Sequence, residues 1–176
     1  NNDEWSLYFD GNVDISLWLN DETTPEKKIK LLELLDDIKD PVRKMDLLIT
    51  AKNFVCPSLF MADELGKKGG KTWVYQFNRV RDDKLAKKYG AFHGAELPYV
   101  FDTHDEWLPT NKKDRELTRE IQSYWLSFAK TGNPNNGDAV TWPEYDSYND
   151  PTLVLDDEIY QRNHESSEIC KIMDLF

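Results

Sequence analysis

At 176 residues, the chain carries 33 Asp and Glu against 22 Lys and Arg, a formal net charge of −11. That balance disfavours nucleic acid and anionic membrane surfaces as partners, because both repel an acidic surface. Hydrophobic residues at 39% and six tryptophans exclude a disordered chain, and no apolar run approaches the roughly 20 residues of a membrane span.

Residues 1–10 read as a loop entering a short helix, with Asp3 as a candidate N-cap. The first residues lack a Met, a basic start and an apolar signal region, so targeting information is expected to be absent or removed. Thr23-Thr24-Pro25-Glu26 is a helix start: capping residues followed by proline in the first turn. From there to Ile38, the residues Ile29, Leu31, Leu32, Leu34 and Leu35 predict an apolar helical stripe that Asp40-Pro41 ends. A second helix is predicted over about 42–51, with Met45, Leu48 and Ile49 inward. A third begins near Pro57-Ser58 and stops at Gly66 to Gly70. Trp73-Val74-Tyr75-Gln76-Phe77 is the one confident strand, β-branched and aromatic. Asn111 to Lys130 is the longest helix, with Ile121, Trp125 and Phe128 near helical spacing. Gly132 to Asp138 is rich in turn residues. Thr152 to Leu155 predicts a short strand, and Ser166 to Leu175 a final helix. With no repeat, low-complexity stretch or linker, residues 1–176 read as one segment of a single domain.

Chemistry concentrates on the histidine in Gly90-Ala91-Phe92-His93-Gly94-Ala95-Glu96-Leu97-Pro98-Tyr99-Val100-Phe101. An imidazole that titrates near neutrality can take a hydroxyl proton and return it to a leaving group. A carboxylate on its far nitrogen would fix the tautomer. Asp3-Glu4-Trp5 offers such a carboxylate, with Asp3 and Glu4 competing for the role. The bland alternatives are a structural or solvated histidine and a solvated acidic loop. No serine stands in a Gly-x-Ser-x-Gly frame, and neither cysteine opens a Gly-rich helix turn, so a nucleophile is missing. His93-x-x-Glu96 with His104 nearby has metal-like character, but no further ligand is placed, and no metal is expected. Glu96 reads instead as a buried structural carboxylate bonded to backbone amides, and His104 and His164 as surface residues. Cys56 and Cys170 are too few for a disulfide scaffold and lack metal-type spacing, so by themselves they read as buried free thiols.

Four segments in order carry a family resemblance: Asn2-Asp3-Glu4-Trp5, Gly90 to Phe101, Trp125-Leu126-Ser127-Phe128-Ala129-Lys130-Thr131-Gly132-Asn133-Pro134, and Trp142-Pro143-Glu144-Tyr145. Together they resemble the C-terminal third of the type-B carboxylesterase and cholinesterase family, over residues 1 to about 172. The resemblance implies an α/β fold, namely the C-terminal part of an α/β-hydrolase. The last sheet strand and its surrounding helices would be incomplete without the N-terminal part. It implies that Glu4 is the triad acid and His93 the general base. The nucleophilic serine and oxyanion donors would lie in the upstream part of the same protein, the expected partner. Leu7 and Tyr8 match positions that line the substrate pocket in relatives, and Phe92 and Ala95 would shape the gorge beside His93. Leu7 departs from an aromatic residue, which argues against a quaternary-ammonium substrate and for a small uncharged ester. The resemblance also implies a Cys56–Cys170 disulfide, hence a secreted or periplasmic protein; unpaired cysteines would imply the cytoplasm. No cofactor is implied. The rival reading is a non-catalytic adhesion or binding protein on the same fold.

Overall fold

The computed structural model describes residues 13–104, 108–137, 139–164 and 166–175. They fall into two compact units, one of residues 71–163 and the other of the residues up to Gly70 together with those from His164.

In the first unit, β1 (Val74–Phe77) pairs in parallel with β2 (Pro151–Leu155), from Val74 opposite Thr152 to Phe77 opposite Leu155. A parallel pair needs a long crossover, and here it contains α5 (Lys84–Tyr89), α6 (Leu97–Phe101) and α7 (Lys112–Thr131). β2 is central, and Thr152 to Leu155 are all buried, as expected of a strand covered on both faces. Its other edge takes β3 (Tyr160–Asn163), antiparallel. Sequence patterning does not reveal β3, because Tyr-Gln-Arg-Asn has no apolar alternation. Among the described residues β1 has a neighbour on one edge only. An unpartnered edge on β1 is as expected for the last part of a larger sheet, while the third strand was not expected.

α7 is held at its start by a capping box: the Asp114 amide donates to Asn111 Oδ1 (3.1 Å) and the Asn111 amide to Asp114 Oδ2 (2.8 Å). It ends on Gly132, whose φ of 73° suits glycine. Its buried residues are Asp114, Leu117, Thr118, Ile121 and Tyr124, one face at helical spacing. This face is displaced from the predicted one. Ile121 is fully buried and Trp125 partly, but Phe128 is 49% exposed. Leu117, Ile121 and Tyr124 pack with Phe77, Tyr99, Trp142, Leu153 and Leu155. Each such large side chain contributes about 1.5–3 kcal/mol on burial. Trp142 donates its indole N–H to the Val74 carbonyl (2.9 Å) and stacks edge-on to Tyr75 and Tyr124, so the loop before β2 is tied to β1.

The second unit is helical: α1 (Ile15–Glu22), α2 (Pro25–Leu34), α3 (Pro41–Thr50), a π-helical turn (Ala51–Val55), α4 (Cys56–Lys67) and α8 (Ser167–Met173). Asp14, Thr24 and Asp40 cap the first three through their side chains. Leu31 and Leu35 supply the buried stripe of α2, while Ile29 and Leu34 are exposed. Met45, Leu48 and Ile49 are buried as predicted. The predicted break between the second and third helices is absent. The chain stays helical from Pro41 to Lys67 through the π-turn, where the Cys56 amide reaches Ala51 O. A wider turn of this kind accommodates Pro57, which lacks an N–H and crowds the preceding turn.

That continuous helix is long and apolar enough to meet the requirements for a membrane span, and half of its apolar window is buried within the fold. It also carries Asp46, buried and paired with Arg43 (3.1 Å), and Lys52, paired with Glu22 of α1. Cys56 and Cys170 form a disulfide, with Cα atoms 5.4 Å apart and both residues fully buried. The bond joins α4 to α8, and Lys27 of α2 pairs with Asp174 just beyond α8.

Candidate active site

Two glycines in left-handed conformation, Gly90 at φ 69° and Gly94 at φ 83°, bracket His93. A side chain at either position would be strained, so the tight turn over 93–96 depends on Gly94 in particular. The Ala95 amide donates to Phe92 O (3.0 Å) and the Leu97 amide to Gly94 O (3.1 Å). Ala91 and Ala95, two residues to either side, are buried in the core against Phe77 and Tyr99, while His93 is exposed. The turn is thus clamped by small apolar residues on either side of an exposed His93. Ala95 faces the core, and Phe92 is half-buried against the same cluster. Glu4, Leu7 and Tyr8 lie outside the described residues.

Glu96 opens α6 without capping it through its side chain. Its Oε2 is buried and has no hydrogen-bond partner among the described residues, so the predicted backbone amide bonds are not made at that oxygen. Burial, and then the nearby Glu96 charge, push the Tyr75 phenol up to about 12.

The segment that carries His93 is bounded by a buried polar cluster not expected from the sequence. Asp114, 1% exposed, accepts on one oxygen from both Arg79 Nε (2.8 Å) and the Tyr99 hydroxyl (2.7 Å). Arg79, also buried, reaches Asp157 Oδ1 at 2.8 Å, and Lys113 pairs with the same carboxylate at 2.7 Å. Burial opposes the charge on Asp114, but the Asn111 amide, Arg79 and Tyr99 outweigh it and hold the carboxyl below its ordinary range. The Asn-x-x-Asp capping pattern at 111–114 was the available signal, and it does not say that the same carboxylate reaches across to the segment after β1 and to α6.

His104 is half-buried, not at the surface: its Nε2 lies 2.7 Å from Thr118 Oγ1, and Thr118 donates to Asp114 O (2.8 Å). Thr118 therefore accepts from Nε2–H, and burial, then Arg115, lower the imidazole pKa. His164 is buried too, its Nδ1 accepting from the Ser166 amide at 3.1 Å.

These carboxylates set an acid limit on stability. Asp114 and Asp157 have folded pKa values below their ordinary ones, Asp157 chiefly through Lys113. Their contribution is therefore complete above the unfolded value of about 4 and is lost as pH falls through the folded values. The melting temperature of Asp114→Asn should lie furthest below wild type above about pH 5, and the gap should close below about pH 3. A gap independent of pH would refute this.

The sequence model of the carboxylesterase family matches residues 17–173. The chain belongs to the carboxylesterase family. Among its relatives, para-nitrobenzyl esterase of Bacillus subtilis is 40% identical over 101 residues, 54% of this chain and 20% of that protein. Acetylcholinesterase of Gallus gallus is 35% identical over 117 residues, 62% of this chain and 15% of the relative. Carboxylesterase 4A of Bos taurus is 30% identical over 131 residues, 70% of this chain and 24% of the relative. A solved PNB esterase superposes on 98% of this chain and 36% of its own, at TM-score 0.71 and 27% identity; a thermophilic PNB esterase gives 100%, 37%, 0.71 and 27%. The chain thus spans between about a seventh and a little over a third of these relatives. Its fold is part of an α/β-hydrolase, with His93 on the segment that follows β1.

Proposed function

We propose that this chain is the C-terminal segment of a serine carboxylesterase, with His93 as its general base and Glu4 as the carboxylate that orients it. The observation that carries the reading is His93 itself: an exposed histidine on a glycine-framed turn clamped to the core, in a chain of the carboxylesterase family. The nucleophilic serine and the oxyanion donors belong to the upstream part. His93 takes the serine hydroxyl proton as the oxygen attacks the ester carbonyl. It returns that proton to the departing alcohol. It then takes a proton from water as the water oxygen attacks the acyl-serine, and gives that proton to the departing serine oxygen as the acid is released. The donors stabilise the oxyanion in both halves.

The substrate is a small uncharged carboxylic ester, since Leu7 supplies no aromatic ring for a quaternary ammonium group. The enzyme works in an oxidising compartment, secreted or periplasmic, a reading supported by the Cys56–Cys170 bond. In this reading the helix from Pro41 to Lys67 is a core helix, with Asp46 and Lys52 paired along it. The upstream part covers apolar side chains such as Phe60 and Met61, 48% and 59% exposed here.

The test compares residues 1–176 alone with the full-length protein in hydrolysis of p-nitrophenyl butyrate. Activity is expected only in the full-length protein. Hydrolysis by the isolated segment, lost on His93→Ala, would reveal an overlooked nucleophile. A full-length protein that binds but does not hydrolyse esters would favour the adhesion-type reading.

A further inference from the structure

We propose that Tyr99 and Asp114 are positioning residues for His93, holding the turn that carries the imidazole in a single arrangement. The inference rests on the reading of His93 as the general base. It starts from the segment that carries the histidine. That segment leaves the sheet at Arg79, whose amide, like that of Asn78, donates to Leu155 O on β2 (3.2 and 2.8 Å). It returns to the core at Tyr99 on α6. Between these points lie the two left-handed glycines, Gly90 and Gly94. Glycines let the turn form, and they equally leave it free to adopt other shapes.

Both ends of the segment are bound by one carboxylate oxygen. Asp114 Oδ1 accepts from Arg79 Nε and from the Tyr99 hydroxyl, while Oδ2 accepts the Asn111 amide. Asp114 is itself fixed in the first turn of a 20-residue helix. The carboxylate therefore links the exit from β1, the start of α7 and the helix directly after the histidine turn.

Packing alone does not require the hydroxyl. Tyr99 is fully buried, its ring 5.0 Å from Phe77, and a phenylalanine would fill nearly the same volume. Burial and the bond to Asp114 raise the phenol pKa, so it remains a neutral donor. A buried ionic cluster is in general weak support for stability, and specifying one arrangement is its better-attested use. Here the arrangement specified is that of α6 and the turn before it. A base displaced by about 1 Å can lose on the order of a hundredfold in rate.

The experiment uses the full-length protein and the variants Tyr99→Phe, Asp114→Asn and His93→Ala. Reactive serines are counted by titration with diethyl p-nitrophenyl phosphate, and kcat per titrated serine and KM are measured with p-nitrophenyl butyrate. Tyr99→Phe is expected to lower kcat per titrated serine about tenfold with KM within about twofold, and Asp114→Asn to lower it further. Wild-type kcat per titrated serine in Tyr99→Phe, with only the melting temperature lowered, would overturn the inference and leave the base assignment intact. So would a rate loss fully matched by a loss of titratable serines. Activity retained in His93→Ala would overturn both.

Discussion

Replacing His93 by alanine in the full-length protein should lower kcat for p-nitrophenyl butyrate by about four to six orders of magnitude, with KM little changed. The size follows from what the imidazole does. Without it the serine hydroxyl is a poor nucleophile near neutral pH, and the departing alkoxide has no proton donor. Loss of a triad member leaves only binding and oxyanion stabilisation, which together retain about a thousand- to ten-thousand-fold over water. The turn should tolerate the change, since His93 is exposed and the clamping residues are Ala91 and Ala95. Glu4→Gln should cost about one to two orders of magnitude less, because it removes orientation and charge but leaves the base. Steady-state kinetics per mole of folded protein decide the matter, because a serine without its base is not titratable. A His93→Ala enzyme within about tenfold of wild type would end the triad assignment.

Removing the Cys56–Cys170 bond has the second-largest expected effect. The cysteines are 114 residues apart, and the loop between them contains all of β1, α7 and β2. Closing a loop of that length restricts the unfolded chain enough to contribute about 4–5 kcal/mol in the chain-entropy account. Both residues are fully buried where α4 meets α8, so the double variant Cys56→Ala/Cys170→Ala also loses packing around the sulfurs. Urea unfolding of the full-length protein should show the midpoint falling by an amount consistent with that loss, and wild type treated with dithiothreitol should follow the variant. A change below about 1 kcal/mol would mean that the unfolded state is already compact or that α8 is held by other contacts.

Much of this molecule is written in local sequence. Thr24-Pro25 and Asp40-Pro41 specify helix starts because capping and a fixed φ act within a few residues. Trp73 to Phe77 reads as a strand from its β-branched and aromatic side chains, and the turn-rich run from Gly132 marks the end of α7. His93 is conspicuous because an ionisable group stands next to a glycine turn. Local sequence also suffices for the family, through motifs whose order and spacing few other chains share.

What sequence could not decide depends on residues brought together from far apart. By their number and spacing the two cysteines read as free thiols; their pairing came only from family resemblance and then from the packing of α8 on α4. β3 exists because an exposed polar segment completes the edge of a buried strand, and patterning cannot detect a partner's edge. The helix break expected near Pro57 vanished because a π-turn absorbed the proline. Above all, Asp114 reads locally as a helix cap. Only the tertiary structure brings Arg79, just beyond β1, and Tyr99 from α6 to one of its oxygens, because a hydrogen bond depends on distance in space, which sequence separation does not encode.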